Sequence, residues 1–144
     1  MNTIAVDAMG GDSAPIDIVK GAIKAKELGV DVVLCGDKNL INPYLENHEI
    51  PVFDFPEVIS MDEDPLRAIR NKKNASIVGC MQLLKDKKVQ AVFSAGSTGA
   101  TLISAISILG KHKGVIRPVI ASVLPSLSGN TILLDSGASL DVKP

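Results

Sequence analysis

Hydrophobic positions in this chain first gather in a short run, Thr3 to Met9, which reads as a strand stopped by Gly10-Gly11-Asp12-Ser13-Ala14-Pro15. Ile16, Val19 and Ile23 then recur at helical spacing among Asp17, Lys20, Lys24 and Lys26. That pattern predicts a helix from Ile16 to Leu28, ended by Gly29, with one face laid on a sheet. Val30 to Cys35, broken only by Asp31 and followed by Gly36-Asp37, predicts a second strand and so a βαβ rhythm. Asp37 stands where it would cap a short helix over Asn39 to Asn47, interrupted by Pro43. Pro51 to Phe55 and Val58 to Met61 read as extended.

The acidic box Asp62-Glu63-Asp64-Pro65 precedes a helical stretch from Leu66 to Lys73, where negative charge suits the helix dipole. A second helix is expected from Asn74, with Ile77, Met81 and Leu84 on one face and Lys85, Lys87 and Lys88 at its C-terminal end. Ala91 to Ser94 predicts a buried strand. The segment Ser94-Ala95-Gly96-Ser97-Thr98-Gly99-Ala100 leads into a helix, Leu102 to Leu109, that is apolar nearly all round and so belongs inside a larger body. Val119 to Leu124 and Thr131 to Asp135 predict two further strands, the last turning at Gly137. The chain stops at Asp141-Val142-Lys143-Pro144 with no closing element, an end that reads as cut. Strands alternating with helices predict a single α/β unit over 1–144, a three-layer αβα fold around a mostly parallel sheet.

Composition narrows the function classes. A length of 144 residues suits one domain with a core that needs no disulfides. Fifteen Lys and Arg against sixteen Asp and Glu argue against a nucleic-acid partner, and the lack of Trp, with one Tyr and three Phe, leaves no stacking platform. No apolar stretch reaches the ~20 residues of a membrane span, and no basic and apolar leader opens the chain, so a cytoplasmic address is expected. Cys35 and Cys80 suit reduced core thiols. His48 and His112 stand alone, so no metal site is expected. There is also no nucleophile-elbow motif, so an enzyme built on this chain takes its nucleophile from the substrate.

Ligands of open parallel sheets bind beyond the carboxyl ends of the strands, and three glycine turns fall there. The first is Asp7-Ala8-Met9-Gly10-Gly11-Asp12, an ordinary capped turn or a place where backbone approaches a ligand. The second, Ser94 to Ala100, sets small residues and hydroxyls at a helix start, where an anion such as phosphate is stabilised; a glycine pair for close helix packing is the plainer alternative. It matches neither dinucleotide fingerprint nor P-loop. The third is Asp135-Ser136-Gly137-Ala138-Ser139, followed by Asp141 and Lys143. Arg67, Arg70, Lys72, Lys73 and Arg117 supply basic groups, although most charge runs are solvated helix faces.

Together, Asp7 to Asp12, Arg70 to Asn74, Ser94 to Ala100, Arg117-Pro118, Leu133 to Ala138 and Asp141 to Pro144 resemble, in order and spacing, the bacterial phosphate acyltransferases of the PlsX family. The resemblance implies the fold of the isocitrate and isopropylmalate dehydrogenases. It implies transfer of a fatty acyl group from acyl carrier protein to inorganic phosphate, without a cofactor, giving an acyl phosphate for phospholipid synthesis. It further implies a cytoplasmic homodimer, peripherally associated with the membrane, that hands its product to a membrane acyltransferase. The family's enzymes are about twice this length, and Ser97 and Ser139 stand where the family usually has Asn, which weakens hydrogen bonding at those turns.

On this reading the amides of Gly96 to Gly99, with the Ser97 and Thr98 hydroxyls, hold phosphate. Arg70 or Lys73 supplies charge, Asp7, Asp12 and Asp135 orient basic groups, and Gly10 and Gly11 shape the cleft. Asn74, Ser94, Arg117 and Gly137 complete the candidate substrate-binding set. The alternative is a non-catalytic α/β module that binds a phosphate-bearing ligand or a complementary polypeptide; a dehydrogenase related by fold alone is disfavoured by the absent nicotinamide fingerprint.

Overall fold

A computed structural model describes residues 2–127 and 129–135. The chain divides into two compact units, Met1–Gly110 and Lys111–Pro144.

The first unit is built on a four-stranded sheet: β1 (Thr3–Asp7), β2 (Asp31–Gly36), β3 (Val52–Asp54) and β4 (Ala91–Phe93), all parallel, in the order β3-β2-β1-β4. The helices are α1 (Ile16–Glu27), α2 (Lys38–Ile41), α3 (Pro65–Asn71), α4 (Ser76–Lys85) and α5 (Thr98–Leu109). Strand alternation sorts the two faces of the sheet. Val6, Val32 and Leu34 pack with Val19 and Ala22 of α1, whereas Ala5, Val33 and Cys35 pack with Cys80 and Leu83 of α4. This is the expected three-layer α/β arrangement.

Local chemistry fixes most element ends. Gly29 adopts φ +85°, a left-handed conformation that suits glycine just past α1. Asp37 caps α2 by accepting from the Asn39 amide at 2.8 Å, and Asp64 caps α3 by accepting from the Arg67 amide at 2.8 Å. Pro43 sits in a short 3-10 turn, Asn42–Tyr44, which breaks the helix expected through Asn47.

The structure sharpens two expectations in the middle of the chain. Val58 to Met61, which reads as extended, joins no sheet: in this stretch only Glu57 pairs, in an isolated bridge with Ala75. That bridge also delays α4, because the Asn74 amide is held by the Glu57 carboxylate at 2.8 Å and the Asn74 carbonyl accepts from the Glu57 amide at 3.2 Å. Ala75 is left extended and the helix starts at Ser76.

β4 was expected to be buried, yet it forms an edge of the sheet and Phe93 is 55% exposed. α5 packs on α3 and α4 through Ala100, Ile103 and Ile108 against Ile69, Ile77 and Met81, while Leu109 stays exposed. A Cβ at Gly99 would stand 2.8 Å from Pro65 Cγ, so this glycine lets α3 approach α5 closely.

An ion pair ties down the loop ahead of α3. Lys72 Nζ donates to Glu63 at 2.5 Å and to the Val58 carbonyl at 2.6 Å, and the Ser60 amide donates to the same Glu63 oxygen at 2.8 Å. The Lys72 hydrogen bond, then the Ser60 amide, hold the Glu63 carboxyl below its ordinary range. A carboxyl with a lowered folded value stabilises the fold above its unfolded value and loses that contribution as pH falls through the folded one. The melting temperature of Glu63→Gln is therefore expected to lie below that of the parent at neutral pH, with the gap closing in acid. A pH series of thermal melts checks this, and a gap that persists in acid would refute it.

The second unit holds a hairpin of β5 (Ala121–Ser126) and β6 (Gly129–Leu134), antiparallel from Ala121↔Leu134 to Ser126↔Gly129. The two strands fall where the sequence places them but pair with each other in a separate sheet. Asp135 follows at φ +58°, its amide donating to the Ile120 carbonyl at 2.6 Å.

Candidate functional site

From β1 the chain builds β2 and β3 to one side, then returns to lay β4 on the other side of β1. Such a reversal leaves a crevice at the carboxyl ends of the two diverging strands, where open α/β sheets bind ligands. The first two glycine turns meet there. Asp7, at the end of β1, is only 3% exposed. Its Oδ2 accepts from Ser94 Oγ at 2.7 Å and its Oδ1 from the Met9 amide at 3.3 Å, while Ser94 Oγ accepts from the Gly96 amide at 3.1 Å. One carboxylate thus fastens the turn after β4 to the turn after β1.

The glycines are needed for that approach. A Cβ at Gly10 would lie 2.5 Å from Asp7 Oδ2 and 2.9 Å from Ser94 Oγ, and one at Gly96 would lie 3.0 Å from Gly10 Cα. Gly11 adopts φ +113° against the Ala95 carbonyl, a conformation disfavoured for residues with a Cβ.

Beyond Gly96, Ser97 caps α5: its Oγ accepts from the Ala100 amide at 3.3 Å and its carbonyl from the Thr101 amide at 2.9 Å. Asn caps as well as Ser, so the departure at Ser97 keeps the helix start intact. The Thr98 and Gly99 amides have no acceptor among the described residues, which leaves two donors at the positive end of the α5 dipole.

A narrow pocket opens here, with room for about one water molecule. Asp7, Met9, Gly10, Ser94, Gly96 and Ser97 line it from the two turns, Ala100 and Thr101 from α5, Ser76 and Ile77 from α4, and Ile59 from the loop before α3. Ser76 is 3% exposed, and its hydroxyl has no hydrogen-bond partner among the described residues. Sequence reasoning missed it, although a signal was present: Ser76, Cys80 and Leu83 recur at helical spacing and share the buried side of α4.

The structure thus brings together Asp7, Gly10, Ser94, Gly96 and Ser97, with Gly11 packed beside them. Thr98 is exposed on the first turn of α5, and Asp12 is exposed with no side-chain partner among the described residues. Arg70 and Asn74 are exposed, the Lys73 ammonium donates to the Ile69 carbonyl at 3.2 Å, and none of the three lines the pocket. The partners of Asp7 are a hydroxyl and an amide, rather than the basic group anticipated from the sequence. Arg117, exposed, and Asp135, buried, belong to the second unit. Gly137, Ser139, Asp141 and Lys143 lie outside the described residues.

Beneath the pocket, Cys35 and Cys80 are both fully buried in one apolar cluster. A hydrogen bond with Cys35 and burial push the Cys80 thiol well above its ordinary value. A thiol so held is a poor nucleophile, which suits a packing role.

Fold and site define a doubly wound α/β protein whose switch-point crevice, fringed by helix N-termini, suits a small oxyanion. Residues 2–144 match the family described as fatty acid synthesis protein, and the chain belongs to that family. It is 48% identical to the phosphate acyltransferase of Desulforamulus reducens, over 100% of this chain and 45% of that protein. It is 50% identical to that of Gloeothece citriformis, over 98% of this chain and 42% of the relative. Against that of Desulfitobacterium hafniense the identity is 45%, over 100% of this chain and 44% of the relative. The chain spans less than half the length of these curated relatives. No helix among the described residues is long and apolar enough to cross a membrane.

Proposed function

We propose that this chain is the N-terminal part of a longer phosphate acyltransferase domain that moves a fatty acyl group from acyl carrier protein to inorganic phosphate. The observation that carries the reading is the switch-point pocket, with Asp7, Ser94 and the α5 N-terminus meeting in a chain nearly half identical to proteins named phosphate acyltransferase.

A phosphate oxygen attacks the thioester carbonyl, the new C–O bond forms as the C–S bond breaks, and the carrier thiolate leaves and takes up a proton. Phosphate is the nucleophile and a thiolate leaves without a strong general acid, so positioning and charge stabilisation dominate. The amides of Thr98 and Gly99 supply donors to the anion, with the Thr98 hydroxyl beside them. Arg70 and Lys73, on and just after α3, supply longer-range positive charge. A cytoplasmic homodimer that meets the membrane peripherally and passes acyl phosphate to a membrane acyltransferase fits this chemistry, since the product is a reactive lipid.

The test is phosphate-dependent release of free thiol from an acyl carrier protein thioester by this chain, with a control lacking phosphate. Release that needs phosphate is expected; no release, or release independent of phosphate, refutes autonomous transfer by these residues.

A second reading rests on the exposed β4 edge. Phe93 borders an apolar groove with Ile4, Val6 and Ile18, which suits a module that is completed by another polypeptide. Concentration-dependent association in sedimentation supports it, and a monomer at all concentrations counts against it.

A further inference from the structure

Ser76 and Asp7 line the pocket from adjacent layers of the fold, α4 and the end of β1, and both are nine-tenths buried or more. The space they border has room for about one water molecule, hence for one oxygen of a tetrahedral anion. Asp7 meets this space as an acceptor, since its two described hydrogen bonds are both received, from Ser94 and Met9. Ser76 carries a hydroxyl with no described partner, and a buried hydroxyl left without one is costly. An oxygen seated between a carboxylate and a free hydroxyl is best satisfied if it bears its own hydrogen, donating to the first and accepting from the second.

We infer that this pocket reads the proton on its anion: Asp7 accepts the P–OH hydrogen of hydrogen phosphate, Ser76 donates to the same oxygen, and unprotonated oxyanions of the same shape are rejected. The inference rests on the reading that phosphate binds here, and it adds the basis of selectivity. Inorganic phosphate and arsenate keep a proton at neutral pH, whereas sulfate has none. A sulfate oxygen would set its lone pairs against the carboxylate, a contact that costs more than a missing hydrogen bond. The same hydrogen bond polarises the P–OH group toward the carboxylate, which makes the phosphate a better nucleophile.

Calorimetric titration of this chain at neutral pH and constant ionic strength, with phosphate, arsenate and sulfate as probes, tests the inference. Phosphate and arsenate are expected to bind alike, and sulfate about tenfold or more weakly. Asp7→Asn, which places an amide donor in the pocket, should erase that preference by improving sulfate relative to phosphate. Ser76→Ala should weaken phosphate about tenfold while leaving the melting temperature of the ligand-free chain unchanged or raised, because the hydroxyl it removes has no described partner. A serine kept for packing would instead lower the melting temperature and leave affinity alone.

Equal binding of sulfate and phosphate by the parent chain overturns the inference without recourse to any variant, as does a preference that survives Asp7→Asn. If the parent binds sulfate, phosphate and arsenate not at all, the phosphate reading fails and the selectivity falls with it.

Discussion

Gly10→Ala is expected to abolish measurable phosphate binding and to lower the stability of the chain by about 1–3 kcal/mol, the usual cost of forcing a methyl group into a filled site. The new carbon would stand 2.5 Å from Asp7 Oδ2 and 2.9 Å from Ser94 Oγ. Neither neighbour can yield cheaply. Asp7 is buried and holds the Met9 amide with its other oxygen, and Ser94 is fixed between Asp7 and the Gly96 amide. Relief requires breaking the Asp7 to Ser94 hydrogen bond, which separates the two turns that form the pocket. Calorimetric titration with phosphate and a urea unfolding curve measure the two effects. Parent-like affinity in a destabilised variant would show that the two turns do not need each other to hold the anion.

Leu34→Ala should cost more stability and leave the site unharmed. Leu34 is fully buried in the middle of β2, packed among Val6, Val19, Ala22 and Ile41 on the α1 face of the sheet. Removing its branched end leaves a cavity that close-packed neighbours only partly fill, with an expected loss of about 2–5 kcal/mol. Against a typical total of about 5–15 kcal/mol, that loss would shift the urea midpoint well below that of Gly10→Ala. The surviving folded fraction should bind phosphate with parent affinity, because Leu34 lines no part of the pocket. The two variants therefore separate damage to the fold from damage to the site, and a Leu34→Ala chain with weakened phosphate binding would contradict that separation.

The first third of the fold was legible because its signals are local. Glycine punctuation, one amphipathic helix and two apolar runs place β1, α1 and β2 within a few residues of their observed bounds. Reading failed where the outcome depends on distant partners. Val58 to Met61 carries a strand-like composition but finds no strand to pair with, and the start of α4 is set by Glu57, seventeen residues before Asn74. β4 looks like a central strand in sequence, and only the sheet order reveals it as an edge. The pocket was half legible for the same reason. Asp7, Gly10, Ser94, Gly96 and Ser97 announce themselves in turns, whereas helical spacing marks Ser76 only as a buried position of α4, and its place in the pocket depends on the turns after β1 and β4. Arg70 and Lys73 drew attention by their charge, which says nothing about the direction in which a side chain points.

The bond from Ser94 to Asp7 spans 87 residues, so the crevice depends on segments far apart in the chain. β1 meets β2 from Thr3 to Asp31, a short excursion that a nascent chain closes early. β4 must close a loop about three times longer, Ile4 to Ala91, at an entropic cost higher by about 1 kcal/mol. The crevice is therefore completed late: Asp7 arrives with β1, and the turn that fastens to it is supplied only by the segment through Gly99.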